Sequence, residues 1–207
     1  MRLPRSAHDS QPWRIHEIAP DFTVEDVWAL PAFGSADDFS VLLDLMTASD
    51  PAHSASLPTR LLWQARDWLG RLLRLGRVTA ADEARSLLPI PGTEELSLAT
   101  RLPDDLQATA SGVHFAALPF TPLYRTDVEF AAEVSNPTVH GVLHLGWVER
   151  GGGRHQGQMA VLVKPRGRLG DAYMRAIAPF RHLIVYPALL RQIDRGWRHR
   201  MSVIPPS

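Results

Sequence analysis

The sequence predicts an α+β fold in which a curved antiparallel sheet wraps around one long, kinked C-terminal helix. Three observations carry this expectation. Two alternating apolar–polar runs flank a glycine turn between Thr138 and Pro165, an apolar stripe at three- to four-residue spacing runs from Leu169 to Pro187, and the composition, 45% hydrophobic and 21% charged, is ordinary for a globular domain.

The hairpin is the most determined piece. The runs TVHGVLHLGWVE and HQGQMAVLVKP flank Gly151-Gly152-Gly153. Pairing Glu149 with His155 sets Trp147 against Gly157, Leu145 against Met159, Leu143 against Val161 and Gly141 against Val163, so one face is continuously apolar. The other face carries His140, Val142, His144, Gln158, Ala160, Leu162 and Lys164, a mixed set expected to meet water or a wet cavity.

Upstream, Trp13 to Ile18 alternates between Pro12 and Pro20 and predicts a first strand. Phe22 to Leu30 fits strand or helix, and Asp37 to Met46 spaces Phe39, Leu42, Leu43 and Met46 as a short helix. Leu61, Ala65, Trp68, Leu72 and Leu75 share one face of an arginine-rich stretch, with Gly76 as its C-cap, which predicts a helix over 59–75. The stretch 78–113 is broken by prolines and glycines and reads as a long irregular excursion with one or two helical turns. FTPLYRT predicts a further strand, and Thr126 with Glu129 forms a capping-box pattern for a short helix to Val134. In the last helix Pro179 and Pro187 each remove a backbone donor, so a bent rod is expected. One domain over 1–207, with a tail at 200–207, accommodates all of this.

Composition narrows the chemistry. Without cysteine there is no disulfide, thiolate nucleophile or thiolate metal site. Lys+Arg and Asp+Glu both number 22, so no net field draws nucleic acid, and no nucleic-acid partner is expected. No signal-peptide core and no run of 18 apolar residues is present, so a cytoplasmic location without an integral membrane segment is expected. No GxGxxG follows a strand, and no cofactor is expected. The sequence speaks to neither oligomeric state nor pathway.

TVHGVLHLGW, GQMAVLVKPRGRLG and YMRAIAPFRHLIVYPALLRQ resemble the bacterial domain-of-unknown-function family 2867, and the likeness extends back to PWRIHEIAPDFTVEDVWALP. That family looks like a branch of the helix-grip superfamily (SRPBCC), which includes START lipid-transfer domains and polyketide cyclases. The resemblance implies a hollow between the concave sheet and the final helix, suited to an apolar or amphipathic small molecule. It carries over no catalytic residue.

The candidate cavity lining is Tyr124, Leu143, Leu145, Trp147, Met159, Val161, Tyr173, Ile177, Phe180 and Ile184, with Tyr186 a further aromatic; the competing reading is a filled core. His144, Arg181 and His182 are candidate polar anchors, Arg being suited to planar anions and solvated helix positions being the alternative. His140 and His144, four residues apart on a strand, lie roughly 13 Å apart at about 3.3 Å per residue, too far to share one ion, so no metal site is expected. Asp26, Glu129 and Glu133 are possible acids for acid–base work. The leading functional expectation is a noncatalytic binding module. The alternatives are a cyclase- or dehydratase-like enzyme on the same scaffold, or an accessory protein that docks a membrane or partner through the basic helix 59–75.

Overall fold

The computed structural model describes residues 1–47, 88–115 and 118–203. The expected helix over 59–75 and the start of the 78–113 excursion lie outside the described residues.

Six strands form one antiparallel sheet. They are β1 (Arg2–Leu3), β2 (Thr23–Gly34), β3 (Thr121–Arg125), β4 (Glu129–Ser135), β5 (Val139–Glu149) and β6 (His155–Pro165), in the spatial order β1-β2-β6-β5-β4-β3. The β5–β6 pairing has the register read from the sequence, Glu149 opposite His155 through Gly141 opposite Val163. Gly151, Gly152 and Gly153 all take positive φ in the turn, a conformation that only glycine adopts without strain. Strand β2 is the ambiguous Phe22–Leu30 stretch resolved as a strand, with bulges between Val24 and Asp26 and between Ala29 and Phe33. Pro31 sits in the second bulge, where its missing N–H breaks no ladder.

One sheet face is covered by α3 (Phe39–Thr47) and by the C-terminal rod, whose two helices are α4 (Gly167–Phe180) and α5 (Tyr186–Val203). The rod is interrupted at Arg181–Val185 by a π-helical stretch, closed by the bond from Tyr186 N–H to the Arg181 carbonyl. Pro187 lacks a donor to bond back to Leu183, so the chain takes in an extra residue per turn just ahead of it. Leu143, Leu145, Trp147 and Met159 pack with Phe39, Tyr186, Ile193 and Trp197 on this face.

The opposite face departs from expectation. Trp13–Ile18 is not a strand: the short helices α1 (Ser6–Asp9) and α2 (Ile15–Ile18) carry the chain across the sheet. Ile15 and Ile18 recur three apart, so one helical turn buries both, together with Trp13, on Val142, Ala160 and Leu162. The 88–110 segment, with short 3₁₀ turns at Leu98–Arg101 and Asp104–Leu106, adds Ile90, Leu98, Leu102 and Leu106 to the same core. The face expected to meet water is therefore covered, with His140, His144 and Gln158 all buried. Lys164, half-buried, reaches Asp21 at 2.5 Å.

The capping-box reading of Thr126 is also corrected. Glu129 begins β4 rather than a helix, and the Thr126 hydroxyl accepts from Glu129 N–H (3.0 Å) within a tight turn whose Thr126 N–H bonds the Glu129 carbonyl (2.8 Å). A Thr–x–x–Glu turn and a helix start use the same acceptor, and the strand partner β5 decides between them.

Two predictions follow from this layer. A Cβ at Gly146 would lie 2.6 Å from the buried Trp13 ring, so Gly146→Ala is expected to cost about 1–3 kcal/mol, read as a lower urea midpoint at unchanged m. Arg101 fastens the 88–110 segment by bonding Asp21 (2.7 Å) and Glu95 (2.8 Å). Partial burial raises the Asp21 carboxyl, but hydrogen bonds from Arg101 and Lys164 outweigh it and hold it at about 2. A depressed carboxyl contributes fully above its unfolded value of 3.8 and is lost as pH falls towards 2. With the side chain 34% exposed, about 1 kcal/mol is expected. Asp21→Asn should lower urea stability by that amount at neutral pH, with the difference vanishing in acid.

Candidate functional site

Both faces of the sheet bury carboxylates that organise their surroundings, Asp26 on one and Glu129 and Glu133 on the other. On the rod side it is Asp26, placed at the first bulge of β2 with a fully buried side chain. His182 Nε2 lies 2.6 Å from its Oδ1, the Tyr186 hydroxyl donates to Oδ2 at 2.9 Å, and Nη2 atoms of Arg181 and Arg2 each lie 3.4 Å away. Arg181 also bonds Glu25 at 3.3 Å. An α-helix of 3.6 residues per turn would carry Arg181 away from the side shared by His182 and Tyr186; the i-to-i+5 turn brings all three to Asp26. Burial, then the Asp26 charge, raises the Tyr186 phenol, which remains a protonated donor. Of the residues named as candidate polar anchors, Arg181 and His182 both approach a carboxylate of the protein itself, Asp26.

On the opposite face it is Glu129. The Tyr124 hydroxyl donates to its Oε1, Arg14 N–H donates to Oε2 at 3.0 Å, and His144 Nε2 stands 3.6 Å from Oε1. From there a file of imidazoles leads outward, with His144 Nδ1 3.2 Å from His8 Nε2, and His8 Nδ1 3.2 Å from His16 Nε2. His8 and His144 are buried and His16 is half-buried. The Trp13 ring leans on His144, centroids 5.2 Å apart. Burial, with His144 and His16 as neighbours, holds His8 at about 3. Burial likewise lowers His144 despite the adjacent Glu129. For Glu129 burial acts upward, but His144, Tyr124 and the Arg14 amide outweigh it and hold the carboxyl below its usual range. Near neutral pH the inner part of the file is therefore a carboxylate followed by two neutral imidazoles, His144 and His8.

A third carboxylate, Glu133, takes the Ser97 hydroxyl, Leu98 N–H (2.9 Å) and His140 Nε2 (2.8 Å). Glu129 with His144, and Glu133 with His140, are equivalent diagonal neighbours across the β4–β5 ladder. Because each pair is four residues apart on its own strand, a register that joins one pair joins the other. That paired spacing was the signal in the sequence. His140 and His144 take separate partners, and the partnerships of His8, His16 and Asp26 depend on segments folded back from far along the chain.

The candidate cavity residues divide. Leu143, Leu145, Trp147 and Met159 belong to one buried cluster, in which Trp147 meets Phe39 and Trp197 with centroids 6.3 and 5.8 Å apart. Val161, Tyr173 and Ile177 pack in a second cluster around Val139, Val163 and Met174. Phe180 and Ile184 are half-buried on the rod, and Tyr124 and His144 lie on the other face. Space opens at the second bulge of β2. There a groove of about 610 Å³ is lined by Met1, Leu3, Ala29, Leu30, Pro31, Phe33 and, from α5, Leu190, with Arg150 and Gln156 as its polar members. Phe33 is 58% exposed beside it. Gln156 is fixed between the Leu30 carbonyl (3.1 Å) and Arg150 Nε (3.1 Å).

The DUF2867 family model matches residues 18–188. The chain belongs to this family of proteins of unknown function. No curated protein and no solved structure matches it. The match spans Asp26, Tyr124, Glu129, His144, His182 and Tyr186, whereas His8 and His16 precede it. Among the described residues no helix is long and apolar enough to cross a membrane.

The Asp26 cluster gives a direct test within this DUF2867 chain. Tyr186→Phe removes one donor from a buried carboxylate and keeps the ring that packs on Trp28. The expected cost is about 1.5–3 kcal/mol of unfolding free energy, measured by urea denaturation.

Proposed function

We propose that this DUF2867 protein binds an amphipathic small molecule with an anionic end, seated between the sheet and the C-terminal helix in the groove at the second bulge of β2. The observation that carries the reading is the groove itself. Its volume of about 610 Å³ is in the range of small-molecule sites, and an apolar floor with few convergent polar groups suits a ligand with one charged end. Arg150 meets no carboxylate among the described residues, bonding only Gln156 through Nε, so the rest of its guanidinium fork is available to a carboxylate or phosphate. The hydrophobic contact would come from Leu30, Phe33 and Leu190.

The test uses two probes of equal chain length and opposite charge, dodecanoate and dodecyltrimethylammonium, titrated calorimetrically. Saturable binding of dodecanoate in preference to the cation is expected. Leu190→Arg should weaken it about tenfold or more, equivalent to about 1.4 kcal/mol, and Arg150→Glu should reverse the charge preference. Equal, unsaturable uptake of both probes would sink the reading. Native mass spectrometry of the protein as purified then identifies the natural occupant.

A second reading, turnover on the same scaffold, is favoured by one contact. Asp26 holds His182 Nε2 at 2.6 Å, so a buried carboxylate orients a half-buried imidazole in the manner of an acid–base pair. Should a co-purifying molecule be consumed by the native chain and retained by His182→Gln, catalysis displaces simple binding.

A further inference from the structure

The imidazole file ends in an arrangement that hydrogen bonding alone leaves unexplained. His8 Nδ1, His16 Nε2 and an Asp9 carboxylate oxygen all lie within 4.8 Å of one another. The two nitrogens are 3.2 Å apart, and Asp9 Oδ1 is 3.8 Å from His8 Nδ1. One proton shared between the imidazoles accounts for the first distance. It does not account for a carboxylate converging on the same nitrogen at a length beyond hydrogen bonding, nor for Asp9 lacking any Lys or Arg partner among the described residues.

We propose that His8, His16 and Asp9 bind a divalent transition-metal ion of the zinc type. Bonds of 2.0–2.1 Å to a tetrahedral ion place its ligand atoms roughly 3.3 Å apart, and the two nitrogens already stand near that separation. The Asp9 side chain is 59% exposed and moves into place by rotation about its own bonds. Imidazole and carboxylate donors suit zinc and its neighbours in the first transition row. With three protein ligands the fourth position faces solvent on the side of Asp9 and His16, the pattern of an exchangeable or reactive ion rather than a closed structural one.

The inner end of the file is an independent observation pointing the same way. A metal on His8 Nδ1 requires the ring proton on Nε2, which then donates to His144 Nδ1. His144 in turn must carry its proton on Nε2, facing the Glu129 carboxylate. Glu129 is held by the Tyr124 hydroxyl and the Arg14 amide. One tautomer therefore orients both imidazoles inward from the ion: the His8–His144 hydrogen bond is the outer support that fixes the orientation and basicity of a ligating histidine, and His144 Nε2 faces the Glu129 carboxylate at 3.6 Å without a hydrogen bond. Asp9 and His16 come from neighbouring short helices, whose placement is set by Trp13 and Ile15 on the sheet.

The site stands apart from the groove and is tested apart from it. The full chain, free of any histidine tag and stripped with a chelator, is titrated with Zn²⁺ by calorimetry and with Co²⁺ by visible absorption. One ion per chain is expected, with a tetrahedral Co²⁺ spectrum and a rise in the thermal midpoint. His16→Ala and Asp9→Ala should each weaken binding by tenfold or more. His199→Ala, at an exposed position on α5, should leave it unchanged. If a variant proves unstable, Asp9→Asn keeps the shape and removes the charge, and its loss of affinity decides. Absence of Co²⁺ colour and calorimetric heat at saturating metal, or binding insensitive to both His16→Ala and Asp9→Asn, overturns the proposal.

Discussion

A sheet buried on both faces leaves its ionisable side chains no water, so each must find its partner inside the protein or unfold it. Here that constraint falls on Asp26, Glu129 and Glu133, all buried in the sheet. Each is met by groups from a different covering layer. Asp26 draws on the rod through Arg181, His182 and Tyr186. Glu129 draws on the N-terminal segment through Arg14, and Glu133 on the 88–110 segment through Ser97 and Leu98. The covering layers are apolar in mass, but the three carboxylates determine where along the sheet each one sits.

This division explains why the rod is interrupted where it is. A continuous α-helix past Pro187 would bury an apolar stripe equally well, and the half-buried Tyr173, Ile177 and Ile184 show that the first part of the rod gains only moderate burial. What the π-helical turn adds is the simultaneous approach of Arg181, His182 and Tyr186 to one carboxylate. The bulge between Val24 and Asp26 does the reciprocal work on the strand, re-aiming Asp26 under the turn. Two local irregularities in distant parts of the chain are matched to each other, which ordinary propensity cannot reveal.

Elements with strong period and local punctuation were legible in the sequence. The β5–β6 register followed from alternation on both sides of three glycines, and α3 and the C-terminal rod from their helical spacing. The misreadings share a cause. Trp13–Ile18 is too short for its alternation to exclude a single helical turn, and the place beside β2 that a strand could fill is taken by β1. Thr126 and Glu129 obey a local rule that two different structures satisfy, and only the long-range pairing with β5 selects one. Arg181 and His182 stand out by residue type alone, but the Asp26 carboxylate they approach lies 156 residues earlier for His182, beyond any local pattern. The cluster of His8, Asp9 and His16 has no regular spacing to mark it, because its members sit on two separate short helices, whereas His140 and His144, evenly spaced on one strand, take different partners.

The residues ahead of the family match then take on a particular weight. Met1 and Leu3 line the groove, Arg2 reaches Asp26, Arg14 completes Glu129, and His8, Asp9 and His16 make the outer end of the imidazole file. They are held by main-chain bonds, Met1 amine to the Ala29 carbonyl at 3.1 Å and Ala29 N–H to the Met1 carbonyl at 2.9 Å, and by Trp13 fitted over Gly146. The segment matched by the family, 18–188, supplies strands β2 to β6 and the three buried carboxylates Asp26, Glu129 and Glu133. What Asp26 and Glu129 present to the outside depends on side chains that the first seventeen positions lay over them. A scaffold of this kind can keep its internal polar framework while the N-terminal strap changes what reaches the surface, so a difference in ligand or ion between relatives is most economically placed there.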